Sequence, residues 1–266
     1  MAKRSKSRAP SAVVSAGAQE LRLFSIPGIP EIRPGHDLVK CVTSAARRAA
    51  IHFAHGDILV VAQKIVSKAE GALVRLASVK ASPEARALAA RLKKDPRAVE
   101  VVLRESRRMV RSDHVLIAET RHGFVCANAG VDHSNVPGHD VVTLLPRNPD
   151  RSAKKLAAAL RQRTGKRIAV IISDTFGRPW RLGLTNVAIG ASGVPVLLDL
   201  RGTRDRQGKP LTATILATAD ELAAAAGLLM GKSEGSPVVL VRGYRYASVD
   251  QPAARIIRPA VEDLFR

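Results

Sequence analysis

The sequence is poor in aromatics, at 3% of its residues, and it holds two cysteines, one tryptophan and no long hydrophobic run. Each shortage excludes something. Cys41 and Cys126 sit singly inside apolar patterns, with no C-x-x-C spacing. That rules out a disulfide framework and a zinc site, and it suits a reducing compartment. A membrane span needs about 18–20 apolar residues, whereas the longest stretch here, Leu222 to Met230, is short, alanine-rich and interrupted by Gly227. The basic start MAKRSKSRAP is followed by no secretory apolar segment, so a cytoplasmic protein is expected, with no membrane partner. Few aromatic rings also make poor base-stacking platforms.

Phosphate-loop fingerprints are missing too. GLLMGKS tempts a Walker A reading, but three residues rather than four separate its glycines, and it runs from a helical pattern into a strand pattern. No G-x-G-x-x-G occurs. A nucleotide site, if there is one, must therefore be assembled from dispersed loops.

What is present is a chain of 266 residues, 46% of them hydrophobic, with a formal net charge of +20. A chain this long can bury roughly 70–75% of its unfolded surface and needs no covalent staples. The charge points to nucleic acid, an anionic surface or polyanionic small molecules such as nucleotides, or to a merely basic composition with a solvated tail. Residues 1–20, rich in cations and small residues, are expected to form a disordered basic tail ahead of one folded unit over 21–266, built as two interleaved subdomains.

The folded part is expected to begin at LRLFSI, 21–26, and patterning predicts strands over 57–63, 114–120, 123–129, 167–173, 194–200 and 237–243, the second and third forming a hairpin. Helices are predicted over 37–53, 83–94, 96–110, 152–163 and 218–231; Asp37, Ser82 and Asp95 serve as N-caps and Gly165 as a stop. The mixture indicates an α+β architecture of mixed sheets with flanking helices.

Polar groups cluster where predicted strands end. QKIVSKAEG places Lys64 and Lys68 four apart, so both could face one anion, or could simply begin a solvated helix. NAGVDHSN packs Asn128, Asp132, Ser134 and Asn135 after a strand; hard divalent ions want such oxygens, and so do ordinary turns. In ISDTFGRPWR, Asp174 and Thr175 are expected to emerge at the end of a buried strand. Asp174 could bind Mg²⁺ there, with Arg178 or Arg181 pairing a phosphate, or it could merely cap the next element.

Taken together and in order, KIVSKAEG, NAGVDHSN, ISDTFGRPWR, AIGASGV and LLMGKSEGSPVVLVRG resemble the coenzyme F420-0:L-glutamate ligase (gamma-glutamyl ligase) family, over about Leu21 to Tyr244. The resemblance implies a GTP-dependent ligase that adds L-glutamate through gamma-linked amides to coenzyme F420-0, acting as an intertwined homodimer. It implies two divalent ions, Mg²⁺ or Mn²⁺, with K⁺ as a further candidate. By position the family's metal residues match Asp132, Asp174 and Thr175. Its nucleotide contacts match Ile29, Pro30, Glu31, Ile32, Gln63, Lys64, Lys68, Asn135 and the loop Met230, Gly231, Lys232, Ser233, Glu234, Gly235. That loop is one residue shorter than in familiar members, and Lys232 stands where an acidic or amide ligand is expected, which leaves Glu234 as the candidate metal ligand. Some bacterial relatives carry a fused flavin-binding domain, which this chain is expected to lack.

The chemistry demanded is an acyl phosphate. A carboxylate does not react with an amine at neutral pH until it is phosphorylated, after which the amine attacks. Lys68 would steady the phosphates, Asp132 and Asp174 would act through the ions, and Glu70 or His133 is the candidate base. Two rivals stand beside this reading. One is a related amide ligase with another acceptor; the other is a nucleic-acid-binding protein, which the scarcity of aromatics disfavours.

Overall fold

The computed structural model of the chain describes residues 19–134, 138, 140–231 and 235–263. All but the last two residues of the expected basic tail, together with Asn135, Lys232, Ser233 and Glu234, lie outside the described residues.

In chain order the elements are β1 (Arg22–Ser25), α1 (Leu38–Arg48), β2 (Ile58–Ala62), α2 (Gln63–Ala69), β3 (Leu73–Arg75), α3 (Pro83–Leu92) and α4 (Pro96–Glu105). There follow β4 (Ser106–Arg111), β5 (Ile117–Thr120), β6 (Val125–Ala127), β7 (Val141–Thr143) and α5 (Pro149–Thr164). The chain continues with β8 (Ala169–Arg178), β9 (Arg181–Ser192), β10 (Leu198–Asp199), β11 (Ile215–Leu216), α6 (Thr218–Met230) and β12 (Val238–Arg242). The architecture is α+β. A five-stranded mixed sheet runs β1-β12-β2-β8-β9, with smaller sheets β3-β7, β4-β5-β6 and β10-β11.

The central strands β2, β8 and β12 are apolar on both faces because both faces are covered. One face packs α1 and α5 around Ile26, Val42, Leu59, Val170, Ile172 and Leu240. The other packs α6 around Ile58, Val60, Ile171, Ala223, Ala226 and Val239. A third core, its buried residues drawn wholly from 76–142, joins α3, α4 and β5 through Ala85, Ala89, Val99, Val102 and Ala118. A two-pronged ion pair joins the end of β12 to the start of β2: Arg242 donates to both Asp57 oxygens at 2.8 and 2.7 Å, with Asp57 1% exposed.

Local chemistry explains most helix ends. Asp37, Ser82 and Asp95 each accept a backbone N–H as N-caps, with Pro at the first turn of α3 and α4. Gly165 ends α5 in the left-handed conformation.

Several expectations need correction. The helix from Asp37 ends at Arg48 rather than reaching Phe53. The helix from Pro96 stops at Glu105, and residues 106–111 form β4; its half-buried residues Ser106 and Met109 fall three apart in a strand with two register shifts, so it reads as more of the helix. α5 starts at Pro149, capped by Asn148, not at Ser152. The segment 194–200 pairs only at Leu198–Asp199; Val194 and Val196 are buried without a ladder, which gives an apolar run the look of a strand. β8 does not end at Ser173 but continues to Arg178, where it turns into β9 as one long hairpin.

Candidate functional site

β2 and β8 lie parallel with Ala62 opposite Ser173, so the C-terminal end of β2 and the middle of β8 meet at one place. A cavity of about 260 Å³ opens there. Its described walls come from five places far apart in sequence: 29–32, 62–65 with Lys68, 173–175, Asn186, and Met230 and Gly231 with 235–237. Tertiary hydrogen bonds hold these loops together. Gly35 N–H donates to the Ala69 carbonyl and Arg48 to the Gly28 carbonyl, fixing the first loop against α2 and α1. Ala62 N–H donates to the Pro237 carbonyl, fixing the last loop to β2.

Charge enters through two lysines of α2. Lys68 is 4% exposed and its Nζ lies 2.5 Å from Glu31 Oε1. Lys64 Nζ lies 2.9 Å from Asp132 Oδ2 and also bonds the Ser134 hydroxyl. The two ammonium groups thus line the same cavity, each held by its own acid. Burial by itself would raise the Asp132 carboxyl. The Lys64 hydrogen bond and charge and the Ser134 N–H outweigh that effect and hold it below the usual range. The Asp132 backbone is anchored by a reciprocal pair of bonds to Thr143 of β7.

Asp174 and Thr175 are mid-strand residues, not strand-end ones. A bulge in the β8–β9 pairing falls between Ile172 and Ser173, immediately before them. Bulges re-aim side chains beside sites. Asp174 also faces β6, where burial, with the Asp174 charge second, pushes the Cys126 thiol up to about 12. That thiol stays protonated and inert at neutral pH.

The cavity wall holds two orphaned polar atoms. Gln63, 1% exposed, accepts from the Ser67 hydroxyl at 2.8 Å through Oε1, while its Nε2 has no partner among the described residues. The same holds for the Ser173 hydroxyl. Leaving such groups unsatisfied costs about 1–3 kcal/mol each, so this wall suits a ligand rich in acceptor oxygens. A nucleoside triphosphate fits that description. Divalent cations fit the hard-oxygen set of Asp174, Thr175 and Asp132. Among the described residues no three His, Cys, Asp or Glu side chains gather, so phosphate oxygens would have to complete any coordination sphere.

Most of the expected residues meet here: Ile29 to Ile32, Gln63, Lys64, Lys68, Asp174, Thr175, Met230, Gly231 and Gly235 all line the cavity, and Asp132 joins through Lys64. Others do not. Glu70 accepts from Ser152 of α5 at 2.5 Å, away from the cavity lining. His133 lines a separate pocket beside α4. Arg178 donates to the Leu182 carbonyl in the hairpin tip and Arg181 lies exposed there, so neither lines the cavity. Asn186, on β9, lines the cavity unforeseen. A larger groove of about 1030 Å³, at the opposite ends of β2 and β8, carries Arg161, Arg167 and Tyr246, with no carboxylate among its described lining residues.

Comparison with known proteins gives a consistent picture. Residues 28–243 match the family described as F420-0:Gamma-glutamyl ligase. A coenzyme F420:L-glutamate ligase of Methanothermobacter thermautotrophicus is 45% identical over 250 residues, covering 92% of this chain and 99% of the relative. That of Methanopyrus kandleri is 47% identical over 256 residues, covering 94% and 99%. That of Methanocaldococcus jannaschii is 44% identical over 213 residues, covering 79% and 85%.

Proposed function

Because the chain belongs to the F420-0:Gamma-glutamyl ligase family, we propose that it is a coenzyme F420:L-glutamate ligase driven by GTP. The observation that carries this reading is the convergence of five distant segments on one cavity holding two lysines, Asp174 and two orphaned polar atoms.

Amide formation from a carboxylate requires a leaving group. The F420-0 carboxylate attacks the terminal phosphorus of GTP, giving an acyl phosphate and GDP. The glutamate amine then attacks the acyl carbon, releasing inorganic phosphate and a proton. Lys68, low in the wall, holds the transferred phosphoryl group, and Lys64 exchanges Asp132 for phosphate oxygens. Gln63 and Ser173 donate to the same oxygens. Asp132, Asp174 and Thr175 would hold the divalent ions, Mg²⁺ or Mn²⁺, which supply charge neutralisation while the phosphoryl group moves. The enzyme is a cytoplasmic homodimer in this reading. The exposed apolar tip of the β8–β9 hairpin, with Trp180 79% and Leu182 98% exposed, contacts the second copy.

Purified protein incubated with GTP, Mg²⁺ or Mn²⁺, L-glutamate and F420-0 should release phosphate only when all are present, and mass spectrometry should show the glutamylated product. Phosphate release indifferent to F420-0 and glutamate defeats the proposal. Asp174→Asn should abolish turnover with the melting temperature unchanged; near-normal activity would remove Asp174 from the mechanism.

A further inference from the structure

Asn186 stands on β9 as the register partner of Thr175 on β8. Thr175 Oγ1 donates to Asn186 Oδ1 at 3.1 Å, and Asn186 Nδ2 reaches the Met230 sulfur at 3.4 Å. Sulfur is an acceptor only, so it selects the amide rotamer that turns the carbonyl oxygen to Thr175. With its proton committed to Asn186, the Thr175 hydroxyl presents its lone pairs elsewhere, and Thr175 lines the cavity. The third contact is with α6. Gly227 packs against Asn186 so closely that an added Cβ would lie 3.0 Å from Asn186 Cγ and 3.1 Å from Nδ2. Gly227 has no positive φ that would require glycine. In a helix interior glycine is costly by about 1 kcal/mol, so its presence is explained by the room it leaves for the amide.

We propose that Asn186, seated by Gly227, is a positioning residue that sets the direction of the Thr175 hydroxyl and couples it to the Met230–Gly231 wall. This rests on the reading of the cavity as the phosphoryl-transfer site. One amide then ties two walls together: the hairpin that carries Asp174 and Thr175, and the helix end from which the 230–237 loop departs.

The test compares Asn186→Ala, Asn186→Asp, Gly227→Ala, Thr175→Val and the Asn186→Ala/Thr175→Val double variant, all in the full chain. Outer-sphere partners typically cost 10–100-fold when removed. Asn186→Ala should therefore lower kcat about 10-fold or more, with the melting temperature of the unliganded protein near wild type. Asn186→Asp keeps an oxygen toward Thr175 and should retain most of the activity. Gly227→Ala should lower kcat in the same direction although alanine favours the helix. The double variant should be no worse than Thr175→Val alone, because both act through one hydroxyl. Additive losses, or an unchanged kcat in Asn186→Ala, overturn the proposal.

A second readout needs no turnover. Thermal stabilisation by GTP with Mn²⁺ should be weakened in Asn186→Ala and Thr175→Val alike and kept in Asn186→Asp. If wild type is stabilised by GTP with Mn²⁺ but makes no glutamylated product, the functional reading fails while Asn186 is still judged by this pattern. If all three variants are stabilised like wild type, the positioning role fails.

Discussion

Lys68 reaches the cavity along a buried stem and meets Glu31, whose side chain is 59% exposed. The acid is the movable partner, so an incoming phosphate can displace Glu31 while the ammonium stays in place. Lys68→Met removes a charged hydrogen bond worth about 1.5–3 kcal/mol. GTP affinity, measured by calorimetry, should fall about 10–100-fold by the same figure, while Lys68→Arg should fall between. Glu100 offers a pH test away from the site. Hydrogen bonds from the Ser82 hydroxyl and backbone N–H, then Arg104, lower its carboxyl to about 2. A depressed carboxyl stabilises the fold fully above its ordinary range near 4.5 and loses that contribution as pH falls toward 2. Glu100→Gln should melt below wild type at pH 7, with the gap closing between about pH 4.5 and pH 2.

At the scale of elements, the contacts that matter are close backbone approaches. Gly190 of β9 lies so near α5 that a Cβ would fall 2.5 Å from the Pro149 carbonyl carbon and oxygen. Backbone cannot rotate away as a side chain can, so Gly190→Ala should cost about 1–3 kcal/mol by overpacking, read as a lower urea midpoint. Gly190 lies in the AIGASGV segment, whose glycines mark resemblance to the family but say nothing of this contact. β9 itself is illegible in sequence: RLGLTNVAIGAS mixes exposed, half-buried and buried positions, and two glycines interrupt its alternation. Asn186 is hidden with it. α6, by contrast, is legible from its acidic first turn to its glycine stop, because capping and composition are local signals. Lys64, Lys68 and Asp174 are legible because each sits at or just beyond a strongly apolar strand. That Glu70 and His133 point elsewhere depends on α5 and α4, which no local pattern reports.

For the whole molecule, the positive charge and the apolar hairpin tip are separate features with separate tests. Trp180→Ser with Leu182→Ser removes the exposed apolar side chains at a turn. It should shift sedimentation toward the monomer without lowering the melting temperature of the dissociated chain. An unchanged sedimentation coefficient would remove the hairpin tip from the proposed self-association. Added salt should weaken any nucleic-acid binding steeply and leave this association largely intact, since apolar contact is not screened.

The central sheet joins the two ends of the sequence: β1 pairs with β12, Arg22 opposite Arg242. The cavity does the same, with residues 29–32 sharing its lining with Met230, Gly231 and residues 235–237. During synthesis β1 therefore leaves the ribosome and waits without a strand partner until almost the entire polypeptide has emerged. Pairings of such long range are slow to form and leave strand edges open to aggregation meanwhile. The third core, local to residues 76–142, can condense early; the cavity wall cannot. A premature stop shortly before Val238 would therefore yield a product with a packed helical unit and no binding site, which quality control would meet as an open sheet edge.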